Sequence, residues 1–316
     1  MFSHLSRVVL GGLLATGLAV SASAVAQTKV TAGVSVSFEG MLPVWIANEK
    51  GYFKDEKIDL EMIDFKGGGP AVQAFAGGSI DVLFAATDHA LRLRNRGMNT
   101  VVLHGLDGYH NYSLIGKAGI PTSLVGMKGK TLGISSPGSM TDNTIRWAIK
   151  DKKLDPDRDY QIAGAGTGAA MLASIDSGKV DAGLVVQTDA AFLLAKKKDA
   201  YTVVEDYTKL PYAGYSVLAL ETWVAKNNDT AQGIIRAVAR GAAEMEKNPQ
   251  SAYPIIKKLY PHFTDELVAS TVKSAVARIP KGGQFSAEAV RSTNAIVIAS
   301  DPKLTPMTPE SLKPKL

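Results

Sequence analysis

The chain contains no cysteine. That absence excludes a disulfide scaffold, a cysteine nucleophile, a thiolate zinc finger, an iron–sulfur cluster and a lipid-anchored N-terminal cysteine. Histidine is scarce: the five (4, 89, 104, 110 and 262) show no metal-ligand spacing, and no His-Glu-x-x-His occurs. There is no Gly-x-Ser-x-Gly elbow and no P-loop ending in Gly-Lys-Ser/Thr. Ser270-x-x-Lys273 stands without companion motifs and reads as helix surface. Beyond the N-terminal region no apolar run is long enough to span a bilayer. Lys and Arg number 35 against 30 acidic residues, net +5, and they are dispersed rather than striped. Such a balance does not suggest a nucleic-acid partner.

What is present begins with an export signal. Met1–Arg7 carries Arg7 and His4 and no acid, Val8–Val20 is apolar or small, and Ala24-Val25-Ala26 fits the small-residue cleavage rule. Residues 1–26 are therefore expected to be a signal peptide, cut after Ala26, with a periplasmic product. Loss of Arg7 takes the net charge from +5 to +4.

Strands and helices alternate over the next two thirds. Lys29–Ser35 reads as a strand, Met41–Lys50 as a helix stopped by Gly51, and Ile58, Leu60 and Met62 alternate as in a half-buried strand. Gly67-Gly68-Gly69-Pro70 turns into a helix, Ile80–Ala86 is an apolar strand, and Asp88–Arg96 is a helix. Thr131–Ser135, Met140–Lys152, Tyr160–Ala163, Ala169–Ser177 and Asp181–Val186 repeat the order. This predicts βαβ units and parallel sheets. After Tyr215–Leu220 the chain reads as helices, and Asp301–Leu316, with four prolines, as a loose wrap.

One internal similarity predicts two lobes of like topology. Gly78-Ser79-Ile80-Asp81 returns as Gly178-Lys179-Val180-Asp181, and Thr87-Asp88-His89-Ala90 as Thr188-Asp189-Ala190-Ala191.

The candidate chemistry sits where strands run into helices. Ser37-Phe38-Glu39, Gly67-Gly68-Gly69, Thr87-Asp88, Ser135–Thr141, Gly166-Thr167-Gly168 and Gln187-Thr188-Asp189 are all small and polar. Ligands of open α/β sheets bind at the carboxyl ends of strands, and free N–H groups of helix N-termini attract anions there. Ordinary N-capping uses the same residues, so one site alone says little. Six together predict a polar cleft, and Ser135–Thr141 is its strongest segment. Gly164-x-Gly166-x-x-Ala169 with Asp189 beyond it imitates a dinucleotide fingerprint, which keeps an NAD-type oxidoreductase as a minor alternative. Among the aromatics, Trp45 reads as core, while Phe38, Tyr109, Tyr112, Tyr212 and Tyr215 lie near the expected cleft or the crossings between lobes.

Leu42–Lys54 resembles the "P-x-x-x-A-x-E-x-G-Y-F" stretch of a known family. Ile58–Glu61, Gly68-Gly69-Pro70, Ala76–Val82 and Gly126–Gly133 follow in that family's order. It comprises the solute-binding proteins of nitrate/sulfonate/taurine-type ABC transporters, pyrimidine-precursor binders included. The resemblance implies an α/β fold: a two-lobed periplasmic-binding-protein clamp with Rossmann-like lobes, a two-segment hinge and a helical C-terminal part. It places lobe one at 27–110 plus 215–316 and lobe two at 111–214. It implies a monomer without cofactor, catalytic residue or metal, which hands a small-molecule solute to membrane permease and ATPase subunits. Carried over by position, contacts fall at Ser37, Phe38, Gly69, Asp88, Ser136, Ser139, Met140, Thr141 and Gln187. The family often has Gly-Asp-Ala-Pro where this chain has Thr87-Asp88-His89-Ala90, and Trp-Asp near Gln187-Thr188-Asp189; these departures leave the solute open. The cysteine-rich motif of the eukaryotic pyrimidine-synthesis relatives is absent, which argues against self-consuming chemistry.

Hydroxyls and helix N-termini favour a small organic anion, a sulfonate or carboxylate with an aromatic body. Asp88 and Asp189 are read as helix N-caps. Free in the cleft, they would favour a zwitterionic, amine or pyrimidine-type ligand instead, because an unpaired buried carboxylate is costly.

Overall fold

The computed structural model describes residues 27–196 and 198–316. The expected signal peptide, residues 1–26, lies outside them. Ten strands form two five-stranded sheets of the same plan. The first has the order β2-β1-β3-β10-β4, built from β1 (Thr28–Val34), β2 (Ile58–Asp64), β3 (Val82–Ala86), β4 (Thr100–Tyr109) and β10 (Pro211–Leu220). The second has the order β7-β6-β8-β5-β9, from β5 (Tyr112–Lys117), β6 (Thr131–Ile134), β7 (Gln161–Gly164), β8 (Ala182–Val186) and β9 (Tyr201–Asp206). Within each sheet one strand runs antiparallel to both neighbours: β10 between β3 and β4, and β5 between β8 and β9. Those two strands are where the chain enters the sheet from the other one.

The helices follow the same order along the chain. They are α1 (Leu42–Glu49), α2 (Tyr52–Asp55), α3 (Gly68–Ala76), α4 (Asp88–Asn95), α5 (Met140–Asp151), α6 (Ala169–Asp176) and α7 (Gln187–Lys196). After β10 come α8 (Glu221–Lys226), α9 (Asn228–Lys247), α10 (Tyr253–Leu259), α11 (Asp265–Arg278) and α12 (Ala287–Ser300).

Period-two alternation explains why the first sheet is covered on both faces. Val30, Val34, Phe84 and Val217 bury against Ile234 and Val238 of α9, while Leu83, Ala85 and Leu218 bury against Phe75, Leu91, Val290 and Val297. The second sheet repeats this, with Leu132 and Leu184 against Ile145 and Ile149, and Ile115 and Val185 against Met171, Ile175 and Leu193. Gly241 lets α9 lie on α1, since a Cβ there would fall 2.0 Å from the Pro43 carbonyl oxygen.

The internal repeat has a structural counterpart. Asp81 Oδ2 accepts from the Thr31 amide at 2.8 Å, and Asp181 Oδ2 accepts from the Thr131 amide at 2.9 Å. Gly78 and Gly178 precede them in the left-handed region, at φ 73° and 75°. Each aspartate clamps the entry to an inner strand of its own sheet.

Two segments cross between the sheets, residues 110–111 and 207–210. Arg278, at the end of α11, holds both. Its guanidinium donates to Asp107 Oδ2 and to the carbonyls of Tyr109, His110 and Thr208, at 2.9–3.1 Å. Asp107 is buried and Arg278 is mostly covered.

Four features differ from the sequence reading. β5 was not anticipated, because Leu114-Ile115 are adjacent apolar residues without alternation. α8 was also unread. The tail is pinned rather than loose: Met307 and Leu312 are buried, and Asn294 exchanges two hydrogen bonds with the Met307 backbone. Trp45 is only half-buried and packs at the edge of two clusters.

Candidate functional site

The carboxyl ends of β1, β3 and β6 point toward one another across the gap between the sheets. A cavity opens there. Ser35, Phe38, His89 and Tyr215 line it from the first sheet, and Tyr112, Ser139, Met140 and Thr141 from the second.

On the second-sheet side three hydroxyls form a triangle. Ser135 Oγ lies 2.9 Å from both Ser139 Oγ and Thr141 Oγ1, which are 2.8 Å apart. The Ser135 amide donates to Thr141 Oγ1 at 2.9 Å, which fixes the triangle on the strand end. Ser139 is the N-cap of α5 and accepts from the Asp142 amide. The amides of Met140 and Thr141 belong to the first turn and have no intrahelical acceptor. The positive end of the helix dipole therefore meets the cavity. Asp142, in the same turn, is turned away: Arg146 Nε and the Gly138 amide donate to its carboxylate, each at 2.7 Å.

The first-sheet side is aromatic and rigid. Phe38 packs edge-on to Tyr215, with ring centroids 4.9 Å apart. The Tyr215 hydroxyl is bonded at 2.8–3.2 Å to Ser35 Oγ and to the main chain of Val36 and Phe84. Burial pushes its pKa up to about 12, so this wall is neutral. Burial also raises the Tyr112 phenol above its usual range.

A second chamber lies behind Val36, Phe38 and Tyr112, which line both spaces. Ser37, Thr167, Asp189, Tyr260 and His262 line it. Burial raises the Asp189 carboxyl and the nearby His262 opposes that rise. Glu39 is buried and raised mainly by desolvation, and it accepts from the Tyr260 hydroxyl at 3.2 Å.

The structure brings Phe38, Ser139, Met140 and Thr141 together on the first cavity, and places Ser37 on the second. Ser37 Oγ donates to Asp64 at 3.1 Å. Gly69 is exposed and misses the cavity by one residue; Gly68 lines it. Ser136 is not on the wall, and its carbonyl accepts from the Ser139 amide. Gln187 is turned to α11, where its amide donates to Ser274 Oγ at 2.8 Å. Asp88 is no N-cap: its Oδ2 accepts from Asn143 of α5 at 3.1 Å. Asp189 makes no capping bond among the described residues and faces the second chamber. Capping fails for both because α4 starts one residue earlier, and α7 three residues earlier, than a cap at those positions requires. Ser35 and His89 were not anticipated. His89 stood beside Asp88 in a segment read for its acid.

Among the described residues no group of His, Asp and Glu could hold a metal ion. No helix among them is long and apolar enough to cross a membrane.

Comparison with known proteins follows from this geometry. A family described as NMT1/THI5 like matches residues 39–252. A 4-amino-5-hydroxymethyl-2-methylpyrimidine phosphate synthase of Candida albicans is 23% identical over 226 residues, 67% of this chain and 65% of that protein. The chain thus spans just under two thirds of that relative's length. A solved structure from Bordetella bronchiseptica superposes with a TM-score of 0.76 at 22% identity, covering 90% of this chain and 94% of that one. The alkanesulfonate-binding protein SsuA of Xanthomonas axonopodis pv. citri, bound to MOPS, superposes with a TM-score of 0.71 at 13% identity, covering 90% and 98%. At these identities the likeness is one of fold, the two-lobed α/β periplasmic-binding-protein architecture.

Proposed function

The chain belongs to the NMT1/THI5-like family, and we propose that it is the extracytoplasmic solute-binding component of an ABC importer. It captures a small organic anion, a sulfonate or carboxylate with an aromatic or apolar body, and delivers it to a membrane permease and its ATPase. It works as a periplasmic monomer after removal of residues 1–26. One observation carries the reading: the hydroxyl triangle at the α5 N-terminus faces Phe38 and Tyr215 across the gap between two sheets. An anion held there touches both halves, so binding and closure become one event. The two crossing segments are the hinge, which divides the chain into the lobes. No hydrogen bond joins His89 to a hydroxyl among the described residues, so His89 and the cavity hydroxyls do not form a nucleophile–base pair, and this supports capture over turnover.

A second reading has its own observation. Asp189 faces a chamber that shares Val36, Phe38 and Tyr112 with the first. An amine or aminopyrimidine would satisfy it, and the Candida relative's name adds a pyrimidine to the list of ligands to try.

A thermal-shift screen of residues 27–316 tests both. The panel holds alkyl and aryl sulfonates, aromatic carboxylates, taurine, nitrate, pyrimidines and NAD. A ligand at a hundredfold excess over Kd stabilises the native state by about 2.7 kcal/mol. A shift with one anion class, abolished by Thr141→Val, supports anion capture. A shift with amines or pyrimidines alone moves the assignment to the Asp189 chamber. A shift with NAD alone ends the transport reading.

A further inference from the structure

We propose that His89 is a ligand-binding residue, the one that supplies positive charge to the cleft, and that anion capture is coupled to its protonation. The proposal rests on the anion reading above and names its charge partner. His89 lies in the first turn of α4, is 9% exposed, and lines the cavity. Neither ring nitrogen has a hydrogen-bond partner among the described residues. The ring lines the cavity, and its nitrogens are not among the fully buried unpaired atoms, so they are open to a ligand there. Among the described residues no Lys or Arg lines the same cavity. The hydroxyl triangle offers donors but no net charge, so an anion enclosed by it alone lacks a counter-ion.

Backbone fixes the ring where a ligand would meet it. A Cβ at Gly68 would stand 2.7 Å from His89 Nε2, so the ring touches the bare backbone at the start of α3. Two helices, α3 and α4, begin at this point. Most ionisable groups around it have partners of their own, although Asp88 Oδ1 and Arg92 Nε have none among the described residues. Asp88 and Arg92 on the same helix bond to Asn143, Asp64 pairs with Lys66 ahead of α3, and Asp142 pairs with Arg146 on α5. Tyr112 and Tyr215 are held neutral by burial. An entering anion meets the ring at the cavity wall, and its charge draws a proton onto the imidazole.

Isothermal titration calorimetry tests this with benzenesulfonate and benzoate as probes, at pH 6 and pH 8, in bis-tris and imidazole buffers. Sulfonate buffers are excluded because they compete. The expected result is affinity about tenfold weaker at pH 8, with net proton uptake read from the difference between buffers. His89→Gln binds about tenfold more weakly at pH 6 and loses the pH dependence, with an unchanged unfolding midpoint without ligand. Equal affinity of wild type and His89→Gln, without proton uptake, overturns this inference and leaves the transport reading standing. A wild type that binds no organic anion at either pH removes the anion reading and this inference with it.

Discussion

Arg92 and Asn143 join the two halves of the molecule directly: Nη2 of Arg92 on α4 donates to Oδ1 of Asn143 on α5 at 2.7 Å. Asn143 also accepts from Ser300 Oγ at 2.9 Å and donates to Asp88 Oδ2 at 3.1 Å. The other Asp88 oxygen and the Arg92 Nε are buried without a partner. This latch sits one turn from the hydroxyls on the cavity wall, so opening the gap would break it.

Replacing Asn143 by Leu strands Asp88 and Arg92 together. Each buried group left unpaired costs about 1–3 kcal/mol. The unfolding midpoint should fall, and a ligand found in the screen should dissociate faster. An unchanged midpoint and dissociation rate would show that the latch contributes nothing.

Arg278 ties the crossing segments to α11, and its loss leaves the Asp107 carboxyl buried and uncompensated. Burial already pushes that carboxyl up, and the guanidinium holds it back. Arg278→Met should cost about 3–5 kcal/mol in urea unfolding. Adding Asp107→Leu should recover part of that loss, since the stranded charge is then gone. No recovery in the double variant would place the effect in the lost carbonyl bonds instead.

His110, at the first crossing, is fully buried. Thr144 Oγ1 donates to the Met140 carbonyl, so it must accept from His110 Nε2, at 2.7 Å. Nδ1 accepts from the Tyr112 amide at 3.3 Å. Both nitrogens are used by the neutral ring, and protonation would set one N–H against another. Burial lowers its pKa from 6.5 to about 3. The unfolded chain therefore binds this proton first: the contribution is complete above pH 6.5 and is lost as pH falls toward 3. Stability should decline over that window, and His110→Asn should decline less steeply. Urea midpoints at pH 4, 5, 6 and 7 decide it; parallel slopes would exonerate His110.

Gly68 and Gly69 should separate cleanly. An added Cβ meets the His89 ring at position 68 and nothing within 4 Å at position 69. Gly68→Ala should weaken anion binding about tenfold by displacing the ring, and Gly69→Ala should leave it unchanged. Calorimetric affinities of the two variants make the comparison. Equal affinities would mean the ring moves at no cost to binding.

Much of the fold was legible because local periodicity carries it. Alternating residues marked β2, apolar runs marked β3 and β8, and Gly–x–apolar–Asp marked the entry to a strand twice, a hundred residues apart. The clamping roles of Asp81 and Asp181 follow from that repeat. The site was legible at Ser139–Thr141, where a cap, a dipole and several hydroxyls coincide. It was misread at Gly69, because a run of three glycines does not say which one touches a neighbour. Asp88 and Asp189 were misread because an acid at a helix start has the same sequence signature whether it caps or points away.

By itself the sequence determined two α/β halves of one plan, a polar strand-to-helix edge in each, and a helical C-terminal third. Those features depend on neighbours within a turn or a strand, where spacing in the chain is spacing in space. Only the tertiary structure decided that His89 is buried in the cavity, that Asp88 belongs to Asn143, and that Arg278 holds both crossings. These pairs are separated by 55 and by 70–171 residues where bonds are formed. Which distant partner satisfies a buried polar group depends on how the layers pack, and no local pattern encodes that.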